Sequence, residues 1–543
     1  MKLKLLFASL AFTTIVTAQN NLNVKFRSQF KYSSGVSCSN ICGYVDKTGK
    51  EYALVGTSKG MSVVDISNPD KPVEVKMING PESTWREIKV KGSYAYVTTE
   101  GGGGLQIVNL GSLPTATGIT SKSWTGGSAG NLTSIHALHI DGNYVYLYGS
   151  KLFEGGALVA DISDAENPVY VGNYKALGGG KAPYVHDGYV RNDTLYACHI
   201  FEGFMDIIDF KDKKKPKVLG TVTTPTKFTH NSWLNESGKV VFTTDENKNS
   251  VLAAYDVTDP KNIKLLDKIQ SNPGSNSVVH NTHIIKVGKG EFAVTSWYRD
   301  GFTIVDVTRP SNMIQVGNYD TYSGSGDGMN GNWGVFPYFP SGAIVVSNIE
   351  DGLYVFTPTY AQACYLEGTV TDSITGFPIN GATIKVTGSS LALTETTNIS
   401  GVYATGAPAP GGTFTITYSA TKYKTKTITG VQLSSGALTL KDVKLIPTAS
   451  GIFDNELYDA SLSVYPNPFT NDINISYEFQ SKVNAGSAIL LTDMLGKEIQ
   501  KFEVSDMKGN LSINTALNAG VYFVRIVSGQ ASSSPIKIIK MEE

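Results

Sequence analysis

Cysteine, histidine and surplus positive charge are all scarce in this sequence. Four cysteines among 543 residues are too few for a small domain that depends on disulfides. Lysine and arginine number 46 against 47 aspartates and glutamates, which gives a formal net charge of -1. A chain without a basic surplus has little to neutralise a phosphate backbone, so we expect no nucleic-acid partner.

Long apolar runs and helical periodicity are missing after the N-terminus. The first residues read MKLK, followed by the apolar run LLFASLAFTTIV and by VTA before Gln19. A basic start, a short apolar core and small residues before a cleavage point are the pattern of a secretory signal peptide. We therefore predict a signal peptide over residues 1–18 and a mature chain without a transmembrane segment. No cysteine follows the cleavage point, so we expect no lipid anchor there.

Two of the cysteines lie close together. Cys38 and Cys42 are four residues apart, which allows either a small disulfide loop in an oxidising compartment or two separate thiols. The remaining two are Cys198 and Cys364. The spacing does not match a zinc site, because no second cysteine pair or histidine pair accompanies it.

Glycine and aromatic residues are plentiful. The chain has 56 Gly, 28 Tyr and 22 Phe, and Val, Ile, Thr and Tyr recur in short runs bounded by Gly, Asn, Asp and Pro. This composition is typical of an all-β protein with many turns.

A repeat is the strongest internal signal. Its most regular element is a glycine, four residues of alternating character and then an aspartate, often followed by a turn ending in proline, as in GMSVVDISNP from Gly60. Successive copies are 44, 52, 48, 47, 50 and 51 residues apart. The aspartate-equivalent positions are Asp65, Asn109, Asp161, Asp209, Asp256, Asp306 and Thr357. Seven copies with this period, each holding four short strands, predict a seven-bladed β-propeller over residues 19–360.

Several of these stretches resemble known families. YALVGTSKGMSVVDISNPDKPVEV, from Tyr52 to Val75, resembles the LVIVD-repeat propellers. FTHNSWLNESGKVVFTTDE and HNTHIIKVGKGEFAVTSWYRDGFTIVD are similar to the choice-of-anchor B family, and this resemblance extends from Asn40 to Phe356. It implies a propeller at the cell surface with varied anchoring, and it implies no particular reaction.

The pattern changes after Pro358. CYLEGTVTDSITGFPINGATIKVTG reads as strand, turn and strand, with Gly376 and Gly381 at the bends. It resembles the carboxypeptidase regulatory-like domain, which implies a small transthyretin-like β-sandwich over residues 361–447. That resemblance brings no catalytic centre and implies a spacer or docking module.

The last part of the chain follows a polar linker at residues 448–460. LSVYPNPFTNDINISYEF and LNAGVYFVRIVSG resemble the type A C-terminal sorting domain of the type IX secretion system, over residues 461–543. The resemblance implies a second small β-sandwich, the secretion machinery as a partner, and export to the outer-membrane surface or the medium of a Bacteroidetes-type bacterium. Such a domain is usually removed after transport.

Histidines recur at the start of successive blades. Aligned on the turn that follows, the innermost strands begin REIK, HALH, HDGY, HNSW, HNTH and, in the last blade, WGVF. Their first positions are Arg86, His136, His186, His230, His280 and Trp333. Their fourth positions are Lys89, His139, Tyr189, Trp233, His283 and Phe336. Residues three apart on a strand point to opposite faces, so HNTH is not one ligand pair. We expect the fourth positions to pack.

The first positions are candidates for a site. Innermost strands line the central channel of a propeller, and their starts share a rim with the turns between second and third strands. Those turns carry Glu100, Glu154, Glu202, Asp245, Glu246, Asp300, Glu350 and Asp351. With Arg86 they would surround His136, His186, His230 and His280 at one channel mouth. Such a set could hold a divalent metal ion through imidazole and carboxylate, or orient a polar ligand.

A structural interpretation competes with the metal site and is favoured. A polar residue that opens an inner strand commonly bonds to the neighbouring blade, and each blade faces the same geometric problem. We find no nucleophile elbow, no H-E-x-x-H and no phosphate-binding glycine loop, so we assign no catalytic residue and do not favour an enzyme. The expected function is a binding or scaffolding module for a surface protein or glycan. The alternative is a metal-binding protein or metal-dependent enzyme.

Overall fold

The computed structural model describes residues 21–175, 184–324, 328–388, 393–448, 460–480, 483, 486–514, 517–528 and 531–542. The predicted signal peptide and nearly all of the predicted linker lie outside these ranges. The described elements are almost entirely β-strands, which confirms the all-β fold class. Three short 3-10 helices lie at Ala116–Gly118, Gly127–Ala129 and Leu152–Gly155. No described helix has the length and apolar character needed to cross a membrane.

The first 28 strands form seven four-stranded antiparallel sheets. Six sheets take consecutive strands: β2–β5, β6–β9, β10–β13, β14–β17, β18–β21 and β22–β25. The seventh has the order β26, β27, β28, β1. The strands are β1 Val24–Phe30, β2 Cys38–Val45, β3 Glu51–Thr57, β4 Gly60–Asp65, β5 Val73–Asn79, β6 Ile88–Lys91, β7 Tyr94–Val97, β8 Leu105–Asn109, β9 Thr120–Trp124, β10 Ala137–Asp141, β11 Tyr144–Tyr148, β12 Leu158–Asp161, β13 Val169–Asn173, β14 Val185–Arg191, β15 Thr194–His199, β16 Phe204–Asp209, β17 Lys217–Thr223, β18 Thr229–Leu234, β19 Val240–Asp245, β20 Leu252–Asp256, β21 Lys264–Ile269, β22 Thr282–Val287, β23 Gly290–Ser296, β24 Phe302–Asp306, β25 Ile314–Tyr319, β26 Asn332–Phe336, β27 Ile344–Asn348 and β28 Gly352–Pro358.

The seven sheets close into a ring. The first strand of each sheet contacts the first strand of the next, in the order β2, β6, β10, β14, β18, β22, β26 and back to β2. Sheets arranged radially around their first strands make a β-propeller. The ring closes with a strand from the other end of the chain, because β1 pairs with β28 as the outer strand of the seventh sheet.

The recurring aspartate has a local structural cause. At the end of the third strand of a sheet, its side chain accepts a hydrogen bond from the backbone N–H two residues later. In Asp161 this bond is 2.7 Å long and in Asp306 it is 2.9 Å long. Asp65, Asn109, Asp209 and Asp256 make the same bond. An Asx turn of this kind reverses the chain toward the outer strand. Thr357 departs from the pattern because its outer strand, β1, does not follow it in sequence.

Both faces of the inner strands are buried between neighbouring sheets. In β3, Tyr52 and Leu54 pack in a cluster with side chains of the second sheet. The alternate residues Ala53 and Val55 pack in a cluster with side chains of the seventh sheet. Because successive side chains of a strand point to opposite faces, one strand serves two interfaces and carries no polar face.

The four cysteines are all buried and free. Cys38 and Cys42 lie on the same strand, β2, where four residues span about 13 Å. That separation is about twice the reach of a disulfide between Cα atoms, so the disulfide alternative for this pair is wrong. Burial raises the pKa of Cys38 to about 12 and that of Cys42 to about 11.

A sandwich of two sheets follows the propeller, with strand orders β31-β30-β33-β34 and β32-β29-β35. Its strands are β29 Cys364–Asp372, β30 Thr383–Thr387, β31 Leu393–Thr396, β32 Val402–Ala407, β33 Gly411–Ser419, β34 Lys426–Ser434, β35 Leu438–Leu440 and β36 Val443–Leu445. The propeller and most of this sandwich belong to one compact unit. The guanidinium of Arg309 donates to both carboxylate oxygens of Glu367 at 2.9–3.0 Å. Asn312 donates to the carbonyl of Thr405 at 3.1 Å. A bidentate pair fixes orientation as well as distance, so these contacts hold the sandwich against the sixth sheet.

The second compact unit contains the C-terminal sandwich. Its strands are β37 Ala460–Tyr465, β38 Asp472–Phe479, β39 Ala488–Thr492, β40 Glu498–Glu503, β41 Lys508–Asn514, β42 Gly520–Ser528, β43 Ala531–Ser532 and β44 Ile536–Lys540. One sheet has the order β37-β38-β41, and the other has the order β40-β39-β42-β43 with β44 also on β42. Ile475, Ile489, Val524 and Ile538 are fully buried in the core between them.

Aromatic side chains at the fourth position of the innermost strands form a packed layer around the channel. The ring centroids of His139 and Tyr189 are 4.6 Å apart, those of Tyr189 and Trp233 are 4.7 Å apart, and those of Trp233 and His283 are 4.4 Å apart. Burial, and then the positive charge of Lys89, lower the pKa of His139 to about 3. His139 is therefore held neutral inside the ring.

We expect this histidine to make the fold sensitive to acid. The folded-state pKa lies below the unfolded value of about 6.5, so only the unfolded chain takes up the proton as the pH falls from 6.5 toward 3. His139 then lowers the free energy of unfolding by about 2 kcal/mol at pH 5 relative to pH 7. His139→Asn keeps an acceptor for the N–H of Val190, which lies 3.2 Å from Nδ1, and cannot titrate.

The measurement is urea unfolding followed by circular dichroism at pH 7 and pH 5. His139→Asn should reduce the difference between the two pH values by about 2 kcal/mol. Tyr189→Phe changes the neighbouring ring without removing a group that titrates in this range, and should keep the wild-type difference. Equal differences in all three proteins would show that His139 is not responsible.

Candidate functional site at the channel mouth

Four histidines open consecutive innermost strands and stack in a row. The ring centroids of His136 and His186 are 4.1 Å apart, those of His186 and His230 are 4.4 Å apart, and those of His230 and His280 are 4.2 Å apart. Bulges in the backbone place them there. The pairing register shifts at His186 in β14 and at His230 in β18, so each histidine leaves the ladder of its own sheet. A bulged residue is re-aimed, and here it turns toward the channel.

The row borders a small cavity at the mouth of the channel. Its lining includes all four histidines, together with Trp85, Arg86, Glu87, Ala137, Asp187, Asn281 and Trp333. The cavity has a volume of about 20 Å³, which admits one water molecule or one ion. Trp85 is 43% exposed, so this side chain lies at the solvent edge of the cavity.

Glu246 is the carboxylate that enters the histidine row. It follows β19, in the turn between the second and third strands of the fifth sheet. Nε2 of His230 and Nε2 of His280 each lie 3.7 Å from one of its two oxygens. The hydroxyl of Tyr298 donates to Oε1 at 2.5 Å. Burial raises the pKa of Glu246 to about 7, against the opposing effect of the Tyr298 hydrogen bond.

His280 has a different hydrogen-bond partner from His186 and His230, and this partner determines which ring nitrogen carries its proton. Nδ1 of His280 lies 2.6 Å from the carbonyl oxygen of Trp333 and donates to it, which leaves the lone pair on Nε2. The imidazoles of His186 and His230 are buried, and each meets the backbone of the next histidine in the row, His230 and His280 respectively. Burial lowers the pKa of His186 and of His230 well below its usual value, and lowers that of His280 to about 3. These three imidazoles are neutral, which is the form that accepts hydrogen bonds and binds metals.

His136 has a different partner from the other three. Its Nδ1 lies 2.6 Å from Oε1 of Glu100, which is in the turn after β7. The hydrogen bond with His136 is the main cause that lowers the pKa of Glu100. This pair lies at the more exposed end of the row, since the Glu100 side chain is 38% exposed.

Three other predicted carboxylates bond to the loop that precedes the first strand of their own sheet. Asp245 accepts from the backbone N–H and the hydroxyl of Thr226 at 2.7 and 2.9 Å. Asp300 accepts from the hydroxyl of Ser271 at 2.6 Å. Glu350 accepts from the N–H of Gly331 at 2.9 Å. Three carboxylates of the predicted mouth are thus engaged by these loops.

The remaining three are in different surroundings. Glu154 pairs with Lys175 at 2.5 Å, and Asp351 lies 3.7 Å from the ammonium of Lys31. Both carboxylate oxygens of Glu202 are buried without a hydrogen-bond partner among the described residues. Of the eight predicted carboxylates, Glu100 and Glu246 are the two with recorded contacts to the histidine row.

Arg86 lines the small cavity and also joins blades. Its Nε donates to the carbonyl of Thr57 at 2.7 Å, and Nη2 donates to the carbonyl of Pro81. Burial lowers the pKa of Arg86 to about 10. The side chain therefore ties the second innermost strand to the first sheet.

The second positions of the innermost strands form a chain of hydrogen bonds between blades. Nδ2 of Asn231 donates to Asp187 at 2.7 Å, and Oδ1 of Asn231 accepts from the N–H of Thr282 at 3.1 Å. Asn231 thereby links three consecutive blades. Burial, and then the negative charge of Glu87, raise the pKa of Asp187.

A second, wider hollow lies beside Glu100. It has a volume of about 680 Å³, and its lining includes Glu100, Gly101, Gly102, Gly149, Lys151, Glu154, Tyr184 and Phe201. The rings of Tyr184 and Phe201 are 5.4 Å apart, and Phe201 is 60% exposed. A Cβ on Gly149 would lie 2.6 Å from the hydroxyl of Tyr184, so glycine lets this ring approach the turn. Neither Tyr184 nor Phe201 could be identified as a site residue from the sequence, because neither belongs to the repeated positions.

Two residues with strained backbone angles lie at the acidic side of this hollow. Phe153 and Glu154 both have positive φ angles, 53° and 55°. Two consecutive non-glycine residues in the left-handed region are costly, and such strain concentrates at functional sites. The turn thereby holds Glu154 at the edge of the hollow.

Three family models match separate parts of the chain. The LVIVD repeat model matches residues 49–79, 84–117 and 287–321. The carboxypeptidase regulatory-like domain matches residues 365–445, and the secretion system C-terminal sorting domain matches residues 463–541. These findings confirm the three resemblances. The further resemblance to the choice-of-anchor B family stays a prediction.

Two solved structures illustrate the likeness in fold. The β-propeller domain of Cps50 (Swd1) from Myceliophteria thermophila has a TM-score of 0.45 and 12% identity, covering 62% of this chain and 100% of that one. A protein from Lactobacillus plantarum has a TM-score of 0.43 and 12% identity, covering 58% of this chain and 88% of that one. No curated protein matches the chain.

The sorting domain identifies the route of the protein. A type IX C-terminal sorting domain directs a chain to the cell surface or the extracellular space, and the secretion machinery that reads it is a partner. The channel mouth and the wider hollow are therefore features of an exported LVIVD-repeat propeller.

We expect Asn231→Ala to weaken the ring. It leaves a buried carboxylate oxygen of Asp187 and the buried N–H of Thr282 without partners, which costs about 1–3 kcal/mol of unfolding free energy. Urea unfolding at pH 7 measures the loss. Asn167→Ala removes an exposed amide from a surface turn and should change the value by less than about 0.5 kcal/mol. An equal, small effect of both substitutions would mean that the inter-blade chain contributes nothing.

Proposed function

We propose that this exported propeller is a binding module that holds a neutral glycan at the cell surface, in the hollow lined by Tyr184 and Phe201. The observation that carries the proposal is an aromatic pair, the exposed Phe201 and the partly buried Tyr184, placed beside two carboxylates. The sorting domain supports the setting, because it brings the propeller to where extracellular glycans occur.

Exposed aromatic surface is the first support. Phe201 is 60% exposed, although burying such a ring would contribute about 1.5–3 kcal/mol to folding. Exposed apolar surface rimmed by polar groups is typical of binding sites. The flat faces of Tyr184 and Phe201 offer stacking area to the apolar faces of sugar rings, and the Tyr184 hydroxyl adds a polar group.

The carboxylates are the second support. Glu100 and Glu154 border the same hollow and can accept hydrogen bonds from hydroxyl groups. Lys151 also borders the hollow, and Lys175 pairs with Glu154, so the charges at the rim nearly balance. A rim without a charge excess gives no strong attraction to an anionic or cationic ligand, which favours neutral sugars. Gly101 and Gly102 add backbone that a ligand can approach closely, since they carry no side chain.

The domain order along the chain also fits this proposal. The sandwich that lies between the propeller and the sorting domain in sequence is bound to the sixth sheet by the bidentate contact of Arg309 with Glu367. We assign no catalytic step to this arrangement.

Removing the aromatic pair should abolish glycan binding. Phe201→Ala and Tyr184→Ala should each lower the affinity at least about tenfold, which corresponds to about 1.4 kcal/mol. The measurement is a screen of the purified protein on immobilised neutral and acidic glycans, followed by calorimetric titration of the best binder. Phe377→Ala removes another exposed aromatic ring, in the second domain, and should bind like the wild type.

Two outcomes would overturn the proposal. The first is that the wild-type protein binds no neutral glycan in the screen. The second is that the two hollow variants bind as well as wild type, while circular dichroism shows that all the proteins are folded.

Removing the sorting domain should stop export. Deletion of residues 461–543 takes away the segment that the secretion machinery reads, so the propeller should accumulate in the periplasm. Cell fractionation and protection from protease added to intact cells measure this. Deletion of residues 365–445 removes a domain of similar size but leaves the sorting domain, and should still reach the surface. Normal display of the first deletion would contradict the assignment.

A further inference from the structure

We infer that His186, His230 and Glu246 form a binding site for one divalent transition-metal ion of the Zn²⁺ class, with Tyr298 positioning Glu246. This site lies in the small cavity of the histidine row. It is separate from the aromatic hollow, so it stands or falls independently of the proposed glycan binding.

The distances between the ligand atoms suit one ion. One ligand atom from each of His186, His230 and Glu246 lies within 4.8 Å of the other two. Zinc bonds of about 2.0–2.1 Å place tetrahedral ligands roughly 3.3 Å apart, so the side chains need to close by about 1–1.5 Å. Small rotations about side-chain bonds supply such a movement without moving the strands.

Burial of the ligand side chains is the second observation. His186 and His230 are only 8% and 4% exposed, and Nε2 of His230 faces a carboxylate oxygen of Glu246 at 3.7 Å. Glu246 brings a largely buried carboxylate to the same cavity, and its contacts among the described side chains are with imidazoles and one phenol. A buried carboxylate without a close positive partner costs free energy, and a cation between it and the imidazole nitrogens would offset that cost.

Tyr298 holds Glu246 as an outer partner holds a ligand in known metal sites, because its hydroxyl donates to Oε1 at 2.5 Å. His280 donates from Nδ1 to the Trp333 carbonyl, so the lone pair of its Nε2 faces the Glu246 carboxylate at 3.7 Å. Two acceptors that face each other make no hydrogen bond, and a cation beside them would relieve the repulsion. Tyr298 has a φ angle of 44°, a strained value for an aromatic residue, so its placement beside Glu246 has a cost that the surrounding structure bears.

The donor set indicates the class of ion. Two imidazole nitrogens and one carboxylate oxygen favour Zn²⁺, Cu²⁺ or Ni²⁺ over Ca²⁺ and Mg²⁺, which prefer oxygen ligands. Three protein ligands leave a coordination position for water or another small ligand. His136 takes no part, because its Nδ1 is engaged with Glu100. The predicted set of four histidines is thus revised to two, with Glu246 added.

The test is a titration of the untagged full-length protein with Zn²⁺ after dialysis against a chelator. Calorimetry should show one Zn²⁺ per chain. Glu246→Gln keeps the side-chain shape and an acceptor for Tyr298, and His186→Asn and His230→Asn remove one nitrogen ligand each. Each variant should bind Zn²⁺ about 100-fold more weakly. Co²⁺ in place of Zn²⁺ should give intense visible bands in the wild type, typical of four-coordination, and lose them in the variants.

Two matched controls separate this site from the other histidines. His136→Asn alters the first member of the row and His139→Asn alters a packing histidine, and both should bind Zn²⁺ as the wild type does. Circular dichroism and unfolding curves establish that every variant is folded. The inference is overturned if the wild type binds no Zn²⁺. It is also overturned if folded Glu246→Gln and His186→Asn proteins both bind like the wild type, or if His136→Asn abolishes binding, since the ion would then lie elsewhere.

Discussion

Closing seven sheets around one axis is the constraint on which the rest of the structure depends. Every innermost strand must bring its first residues into the same narrow space, where backbone ladders end and polar groups are withdrawn from water. The residues that fill this space differ from one position of the innermost strands to the next. At the second position an amide and a carboxylate, Asn231 and Asp187, bond from blade to blade. At the fourth position flat rings such as Tyr189 and Trp233 fill the space by stacking.

The propeller could be predicted from sequence because its information is local and repeated. Each aspartate at the end of a third strand forms a turn within its own blade, so the period of these turns reports the period of the sheets. The closing strand could not be predicted in this way. Val24 pairs with Pro358, more than three hundred residues away, and nothing in the sequence around either residue marks the other as its partner. Whether Cys38 and Cys42 could form a disulfide likewise depended on their position on one strand.

The site was predictable to the extent that it follows the repeat. Alignment of the blades brings His186 and His230 to equivalent positions, and the bulges that turn them toward the channel are equivalent as well. The repeat also places a carboxylate in each of several turns, but it does not say which one enters the cavity. Glu246 does so because its turn packs against Tyr298 of the next blade, whereas Asp300 is bound by serines of the loop that precedes its blade. That distinction arises from packing between blades and leaves no pattern in the sequence.

The histidine row also bears on what the channel mouth is for. Stacking alone would be served by phenylalanine, tyrosine or tryptophan, and the same fold uses such rings three residues further along three of the innermost strands, at Tyr189, Trp233 and Phe336. Neutral imidazoles fill less space than those rings and keep polar nitrogens in a buried layer, where a poorly partnered group costs about 1–3 kcal/mol. A ring already held by hydrogen bonds at the second position and by aromatic packing at the fourth can bear that cost. The choice of imidazole at the first position therefore agrees with the proposed metal ion, which needs nitrogen ligands.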